Sequence, residues 1–100
     1  MKIELQEQLF RDYPKIFARR HMPKTYTSMC YGIQCPDSWY DIIDTLCGRI
    51  KSYADQNGLI CEANQEKTKF GGLRFYVTYS DPYIKGLLSM AEMMSLKIKE

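Results

Sequence analysis

The clearest pattern along the chain is a helical spacing of apolar residues near its centre. The residues that recur three or four positions apart are Trp39, Ile42, Ile43, Leu46, Cys47, Ile50 and Tyr53. This spacing places them on one face of an α-helix. Pro36-Asp37-Ser38 is typical of a helix start, and Asn57-Gly58 is typical of a helix end. The pattern predicts a long central helix.

A strand follows, marked by apolar residues at every second position between residues 73 and 79. Arg74 is expected on the opposite face of this strand from Leu73 and Phe75. Gly71-Gly72 precedes the strand and is typical of a turn or bulge, since glycine adopts a positive φ at low cost. Residues 59–67 also have an extended pattern, so we expect an antiparallel pair of strands.

Another helix is predicted near the C-terminus. Ser80-Asp81-Pro82 supplies a capping carboxylate and a proline suited to the first helical turn. The predicted buried face consists of Ile84, Leu87, Leu88, Ala91 and Met94. Met90 and Met93 lie off this face, where they either widen it or stay exposed. Residues 95–100 become polar, and we expect them to fray.

The N-terminal part has weaker patterns. Ile3–Phe10 predicts a short helix, and Pro14–Arg19 predicts a second one with Ile16 and Phe17 as its apolar anchors. Residues 25–34 form either a short strand or an irregular segment. The predicted fold is α+β within one domain, residues 1–100: a small antiparallel sheet packed with the central and C-terminal helices, and short N-terminal helices beside them.

Composition narrows the function classes. The 100 residues are 45% hydrophobic and have a net charge of only +2, so a strongly basic nucleic-acid binder is not indicated. Eight tyrosines and six methionines favour a protein interface, although such residues also fill small cores. The N-terminus is polar and no apolar run is long enough to cross a membrane. We expect a soluble, intracellular protein.

The cysteines and the single histidine predict no catalytic or metal site. Cys30, Cys35, Cys47 and Cys61 could in principle close a tetrahedral zinc site, but no pair of short Cys-x-x-Cys knuckles is present. Cys47 lies on the apolar face of the central helix, where a free thiol acts as a small hydrophobe. His21 has no adjacent nucleophile motif. We therefore expect no enzyme activity, cofactor or metal.

A basic segment, residues 19–24, follows the N-terminal helices. It is either a solvated connection or a patch that contacts phosphates or an acidic protein surface. Tyrosines between basic residues would suit nucleic-acid contact. The predicted partner-contacting residues are Arg19, Arg20, Lys24, Tyr26, Tyr31 and Arg74.

Four stretches occur in an order that resembles a known family: Tyr13-Pro14-Lys15-Ile16-Phe17, Tyr31-Gly32-Ile33-Gln34-Cys35 followed by Trp39, Lys69-Phe70-Gly71-Gly72-Leu73-Arg74-Phe75-Tyr76, and Ile84-Lys85-Gly86-Leu87-Leu88. They are similar to those of small, mostly uncharacterised proteins of tailed phages and prophages. Family members often have a glycine where this chain has Ser38, and often continue into a Cys-rich tail that residues 1–100 lack.

The resemblance implies a protein that acts on the bacterial host, in the cytoplasm of the host cell. We expect a phage-encoded, non-enzymatic inhibitor that binds a bacterial defence complex by protein–protein contact, with an anti-CRISPR protein as the most specific version. The partner would be a protein or a ribonucleoprotein. The alternative is a small nucleic-acid-binding accessory protein of phage regulation. Either a monomer or a homodimer is compatible with the sequence.

Overall fold

The computed structural model of the protein describes residues 1–21, 35–69 and 71–98. The elements within these residues are helices α1 (Ile3–Asp12), α2 (Tyr40–Asn57) and α3 (Pro82–Leu96), and strands β1 (Ala63–Lys69) and β2 (Gly72–Val77). Short 3-10 helices occupy Ala18–His21 and Asp37–Trp39. The predicted α+β fold is confirmed. The prediction for residues 25–34 lies outside the described residues.

Helix α2 forms the centre of the core, as its apolar spacing predicts. Ile43, Cys47 and Ile50 have no solvent exposure. Gly58 ends the helix in the left-handed conformation at φ 62°, and its N–H donates to the carbonyl of Ala54. A glycine suits this position because a side chain would be strained there.

The two strands form the predicted antiparallel hairpin. Gly71 lies in the turn with φ 79°, and Lys67 pairs with Arg74 near it. Leu73 and Phe75 are buried on one face, while Arg74 points to the other and is half-exposed. Strand alternation therefore distributes these side chains as the sequence predicts.

Helix α3 packs against α2 and β2 and begins as predicted. Asp81 is its N-cap, and the carboxylate accepts a 2.9 Å hydrogen bond from the N–H of Ile84. The predicted fraying of residues 95–100 is wrong for Ser95 and Leu96, because the helix continues to Leu96 and Ser95 is fully buried. Residues 99–100 lie outside the described residues. The prediction that Met94 is in the core is also wrong: it is 47% exposed, and Ser95 takes the inward position instead.

The N-terminal segment differs from its prediction after residue 12. Helix α1 is two residues longer than expected, whereas Pro14–Arg19 forms a turn and then a 3-10 helix rather than a second α-helix. Tyr13, before the proline, has a non-helical φ of −131°, as expected for a pre-proline residue. The carbonyl of Ile16 accepts from Ala63 N–H at 2.7 Å, so this segment bonds to the β1 backbone instead of to its own helix.

Candidate protein-binding surfaces

A groove of about 570 Å³ lies between residues 12–18, the C-terminal half of α2 and residues 59–62; we call it the N-terminal groove. Its volume is within the range of pockets that bind small molecules or inserted side chains. Its floor is apolar and includes Ile16, Ala54 and Cys61. Ile60, at its edge, is 76% exposed. The groove is thus apolar inside and has a large aliphatic side chain at its border.

Backbone hydrogen bonds hold the three walls of this groove together. The bond from Ala63 N–H to the Ile16 carbonyl joins the N-terminal segment to the start of β1. The N–H of Leu59 donates to the Ala54 carbonyl at 2.9 Å, which turns the chain back after α2. Because these bonds use main-chain atoms, the walls are positioned independently of the side chains on the rim.

Tyr13 anchors the N-terminal wall to α2. Its hydroxyl donates to the Asp44 carboxylate at 2.7 Å and also lies 3.0 Å from the Asp44 carbonyl oxygen. Burial, followed by this hydrogen bond, raises the pKa of Tyr13 above its ordinary value. The phenol therefore stays neutral and acts as a structural donor rather than as a reactive group.

Cys61 gives the groove no nucleophile. The thiol is 6% exposed and donates to the Tyr79 carbonyl at 3.4 Å. Burial raises its pKa, so the neutral thiol predominates at physiological pH. The predicted role of Cys61 as a small buried hydrophobe fits this environment, and Cys47 is likewise buried.

The rim of the groove has charges of both signs. Lys15 and Lys51 are exposed on it, and so are Asp12 and Asp55. Glu62 also lines the groove, where it forms an ion pair with Arg19 at 3.6 Å. An apolar floor surrounded by mixed charges resembles the arrangement of protein–protein interfaces, which combine an apolar centre with a polar edge.

The structure places the sequence-predicted contact residues at separate locations. Arg19 lies beside the groove through its pair with Glu62, and Arg20 follows in the same 3-10 helix. Arg74 instead pairs with Glu92 of α3 at 3.1 Å. The remaining predicted residues, Lys24, Tyr26 and Tyr31, lie outside the described residues.

The hairpin register separates Arg19 from Arg74. The carbonyl of Glu62 accepts from Thr78 N–H, so the Arg19–Glu62 pair lies at the open end of the hairpin. Arg74 precedes Thr78 by four residues and lies near the turn. Four residues of an extended strand span roughly 13 Å. The two arginines thus belong to different surfaces.

A second apolar surface lies on α3 and was not predicted as a surface. Its exposed side chains recur three or four residues apart and surround Met90, and we call this set the Met90 stripe. Its members are Tyr83, Gly86, Met90, Met93, Met94 and Lys97, and Leu87, which is partly buried and packs against the core, borders them. Met90 and Met93 are each 62% exposed. The sequence left open whether these two methionines were exposed, and it placed Met94 in the core.

Tyrosines fix the first turn of this helix to the rest of the fold. The hydroxyls of Tyr53 and Tyr79 both donate to the Asp81 carboxylate, and the ring of Tyr83 stacks on Tyr53 at 4.3 Å. Hydrogen bonds from Tyr53 and from the Ile84 N–H lower the pKa of Asp81. The bond to Asp81 in turn raises the pKa of Tyr53 to about 12. This cluster holds the stripe in a defined position.

The described residues contain neither a metal-binding cluster nor a membrane-spanning helix. Within residues 1–21, 35–69 and 71–98, no group of three or more His, Cys, Asp or Glu side chains is arranged to hold a metal ion. None of the helices in this part of the chain combines the length and apolar character needed to span a bilayer. Cys30, one of the four candidate zinc ligands, lies outside the described residues.

In comparisons with known proteins, no family model, curated protein or solved structure matches the chain. The resemblance to small phage and prophage proteins therefore stays a prediction. What the fold adds is two separate apolar surfaces, the N-terminal groove and the Met90 stripe.

Proposed function

We propose that the protein is a non-enzymatic inhibitor that binds a bacterial defence complex by protein–protein contact, with the N-terminal groove as the contact site. The observation that supports this most is the apolar floor of the groove enclosed by a rim of mixed charge. The proposed occupant is a partner segment that inserts an apolar side chain between flanking charged residues. The phage resemblance motivates the choice of a defence complex as the target.

The charge distribution favours protein over nucleic acid at this groove. A phosphate chain approaching Lys15 and Lys51 would also approach Asp12 and Asp55, which repel it. A partner with side chains of both signs can pair with all four. Nucleic-acid binding is therefore the competing outcome of the test rather than the proposal.

Ile60 is the expected energetic centre of the contact. It is 76% exposed at the groove edge, although burying a large aliphatic side chain away from water is energetically favourable. Residues buried at the centre of an interface contribute most of the binding energy. Arg19, the first residue of the basic segment predicted from sequence to contact the partner, lies beside the groove through its pair with Glu62 and would take part in the same contact.

The test is a capture experiment with a matched pair of variants. The tagged protein is incubated with lysate from bacteria that carry a defined defence system, with and without nuclease treatment. Bound proteins are identified by mass spectrometry, and bound nucleic acid is detected by gel electrophoresis. Ile60→Glu should weaken capture of the defence protein at least about tenfold, in line with the loss of a central contact. Ile3→Glu is the control, since Ile3 is 70% exposed on α1 away from this groove.

The outcomes separate the alternatives. The proposal is supported if a defence protein is captured stoichiometrically after nuclease treatment. This capture should be lost with Ile60→Glu and kept with Ile3→Glu. The same variants should lose and keep, respectively, the ability to protect an infecting phage. Recovery of nuclease-sensitive nucleic acid alone, or equal capture by both variants, rules out the groove as an inhibitor site.

A further inference from the structure

The Met90 stripe exposes large apolar side chains that the described part of the chain leaves uncovered. Among the fifteen residues of α3 the charged ones are Lys85 and Glu92, and Glu92 is paired with Arg74. Met90 and Met93 are mostly exposed, and Tyr83 and Met94 are each 47% exposed. A continuous exposed apolar surface of this kind marks an interaction site.

Gly86 lies within this stripe and points to the same use. A Cβ atom at Gly86 would meet no atom of the described residues within 4 Å, so no close contact with them requires a glycine there. Glycine in the middle of a helix is unfavourable relative to alanine. The missing side chain leaves a notch one helical turn before Met90, of the size that a partner's side chain can enter.

We propose that the Met90 stripe binds the same stripe of a second copy of this chain, with the two α3 helices antiparallel about a two-fold axis at Met90. Helical spacing then fixes the pairs of residues that meet. Met90 meets its symmetry copy, Met94 enters the notch at Gly86, and Lys97 lies over the ring of Tyr83. This arrangement is independent of the N-terminal groove, which lies on other elements.

Each of these contacts has a physical basis in the chain. A methionine knob in a glycine notch lets two helices approach closely, as in knobs-into-holes packing. One side of the Tyr83 ring is stacked on Tyr53, and its other side can receive the Lys97 ammonium in a cation–π contact. The two Lys97 residues lie at opposite ends of the helix pair, so they do not repel each other strongly.

The area also meets the requirement of a specific dimer. Each large, half-exposed side chain of the stripe offers on the order of 100 Å², so the stripe offers roughly 500 Å² per copy. Two copies then bury about 1,000 Å², the lower limit for a specific interface. Lys85 and Glu92, the charged residues of α3, lie on the other side of the helix and stay hydrated.

The test uses opposite charges at the proposed axis. Wild-type protein should show a concentration-dependent monomer–dimer equilibrium in sedimentation velocity experiments. Met90→Glu and Met90→Lys should each weaken self-association at least about 100-fold, because two like charges would face each other at the axis. An equimolar mixture of the two variants should form a heterodimer, since opposite charges then face each other.

Two further variants distinguish the interface from general damage. Ser89→Glu adds the same charge to an exposed position off the stripe and should leave dimerisation unchanged. Gly86→Leu fills the notch, and its Cβ meets no atom of the described residues within 4 Å, so it should keep or raise the thermal stability of the fold while weakening dimerisation about tenfold or more. A wild-type chain that stays monomeric at all concentrations, or a Met90→Glu variant that dimerises like wild type, overturns the proposal.

Discussion

Ser95 connects α3 to β2 through two hydrogen bonds of its hydroxyl group. The polar C-terminal sequence did not predict this contact. Its hydroxyl accepts the Leu73 backbone N–H at 2.8 Å and donates to the Glu92 carbonyl at 2.6 Å. Both Ser95 and Leu73 are buried. Ser95→Ala would therefore leave the Leu73 N–H without an acceptor in a site from which water is excluded.

The magnitude follows from this unpaired donor. An unsatisfied buried backbone group costs about 1–3 kcal/mol, and alanine recovers up to about 0.5 kcal/mol through its higher helix propensity. The net loss in the free energy of unfolding should be about 0.5–2.5 kcal/mol. For a domain of this length that corresponds to a decrease in Tm of roughly 2–20 °C.

Urea unfolding followed by circular dichroism measures this loss. The rate of amide hydrogen exchange at Leu73 should rise by the factor that corresponds to the same free energy. Ser89→Ala is the matched control, because Ser89 is an exposed serine of the same helix. That variant should be as stable as wild type or slightly more so. If the two variants had equal stability, Ser95 would not be the acceptor that holds α3 on β2.

Three further predictions concern pH, glycine and thiol chemistry. Asp81 has a lowered pKa in the folded protein, so it stabilises the fold above the ordinary carboxyl pKa, and this stabilisation is lost as the pH falls through the lowered value. Tyr53 has a raised pKa, so it stabilises the fold below pH 10, and this stabilisation is lost as the pH rises towards about 12. Unfolding monitored against pH should show both losses, and Asp81→Asn should reduce the acidic one. Gly71→Ala should destabilise the fold by about 1–2 kcal/mol, because Gly71 has φ 79° and a side chain is strained there. Gly86→Ala should stabilise the fold by up to about 1 kcal/mol, because alanine is the better helix former. Equal effects of the two substitutions in denaturant unfolding would contradict this difference. Iodoacetamide should modify Cys61 much more slowly in the folded protein than in urea, as followed by peptide mass spectrometry, because burial raises the pKa of the thiol.

Local sequence patterns were sufficient where structure depends on neighbouring residues. The spacing of Ile43, Cys47 and Ile50 predicted the buried face of α2, and the alternation around Phe75 predicted β2. The caps at Gly58 and Asp81 were identified because they need particular residue types at particular positions. The α+β class followed from these elements.

Residue type was misleading where a tertiary contact decided the outcome. Met94 is more apolar than Ser95, so hydrophobicity placed Met94 inside and the polar serine outside. The Leu73 N–H requires an acceptor at the point where α3 crosses β2, and Ser95 supplies it. Similarly, Pro14 suits the start of a helix, but the Ile16 carbonyl bonds to Ala63 instead.

Neither candidate surface could be located from sequence, because each depends on chain segments that meet only in the fold. The N-terminal groove exists because residues 12–18 are bonded to the start of β1. The Met90 stripe includes Met94 because Ser95, rather than Met94, faces the core. The basic segment 19–24 is a partial indication of the groove, since Arg19 lies beside it.

The most direct test of the proposed function is site-specific photo-crosslinking in bacteria that carry the targeted defence system. A photoreactive amino acid replaces Ile60 in one sample and Ile3, which is similarly exposed, in the other. We expect one discrete, nuclease-resistant adduct with a defence protein from position 60 and none from position 3. No adduct at position 60, or the same adduct from both positions, would contradict partner binding in the N-terminal groove.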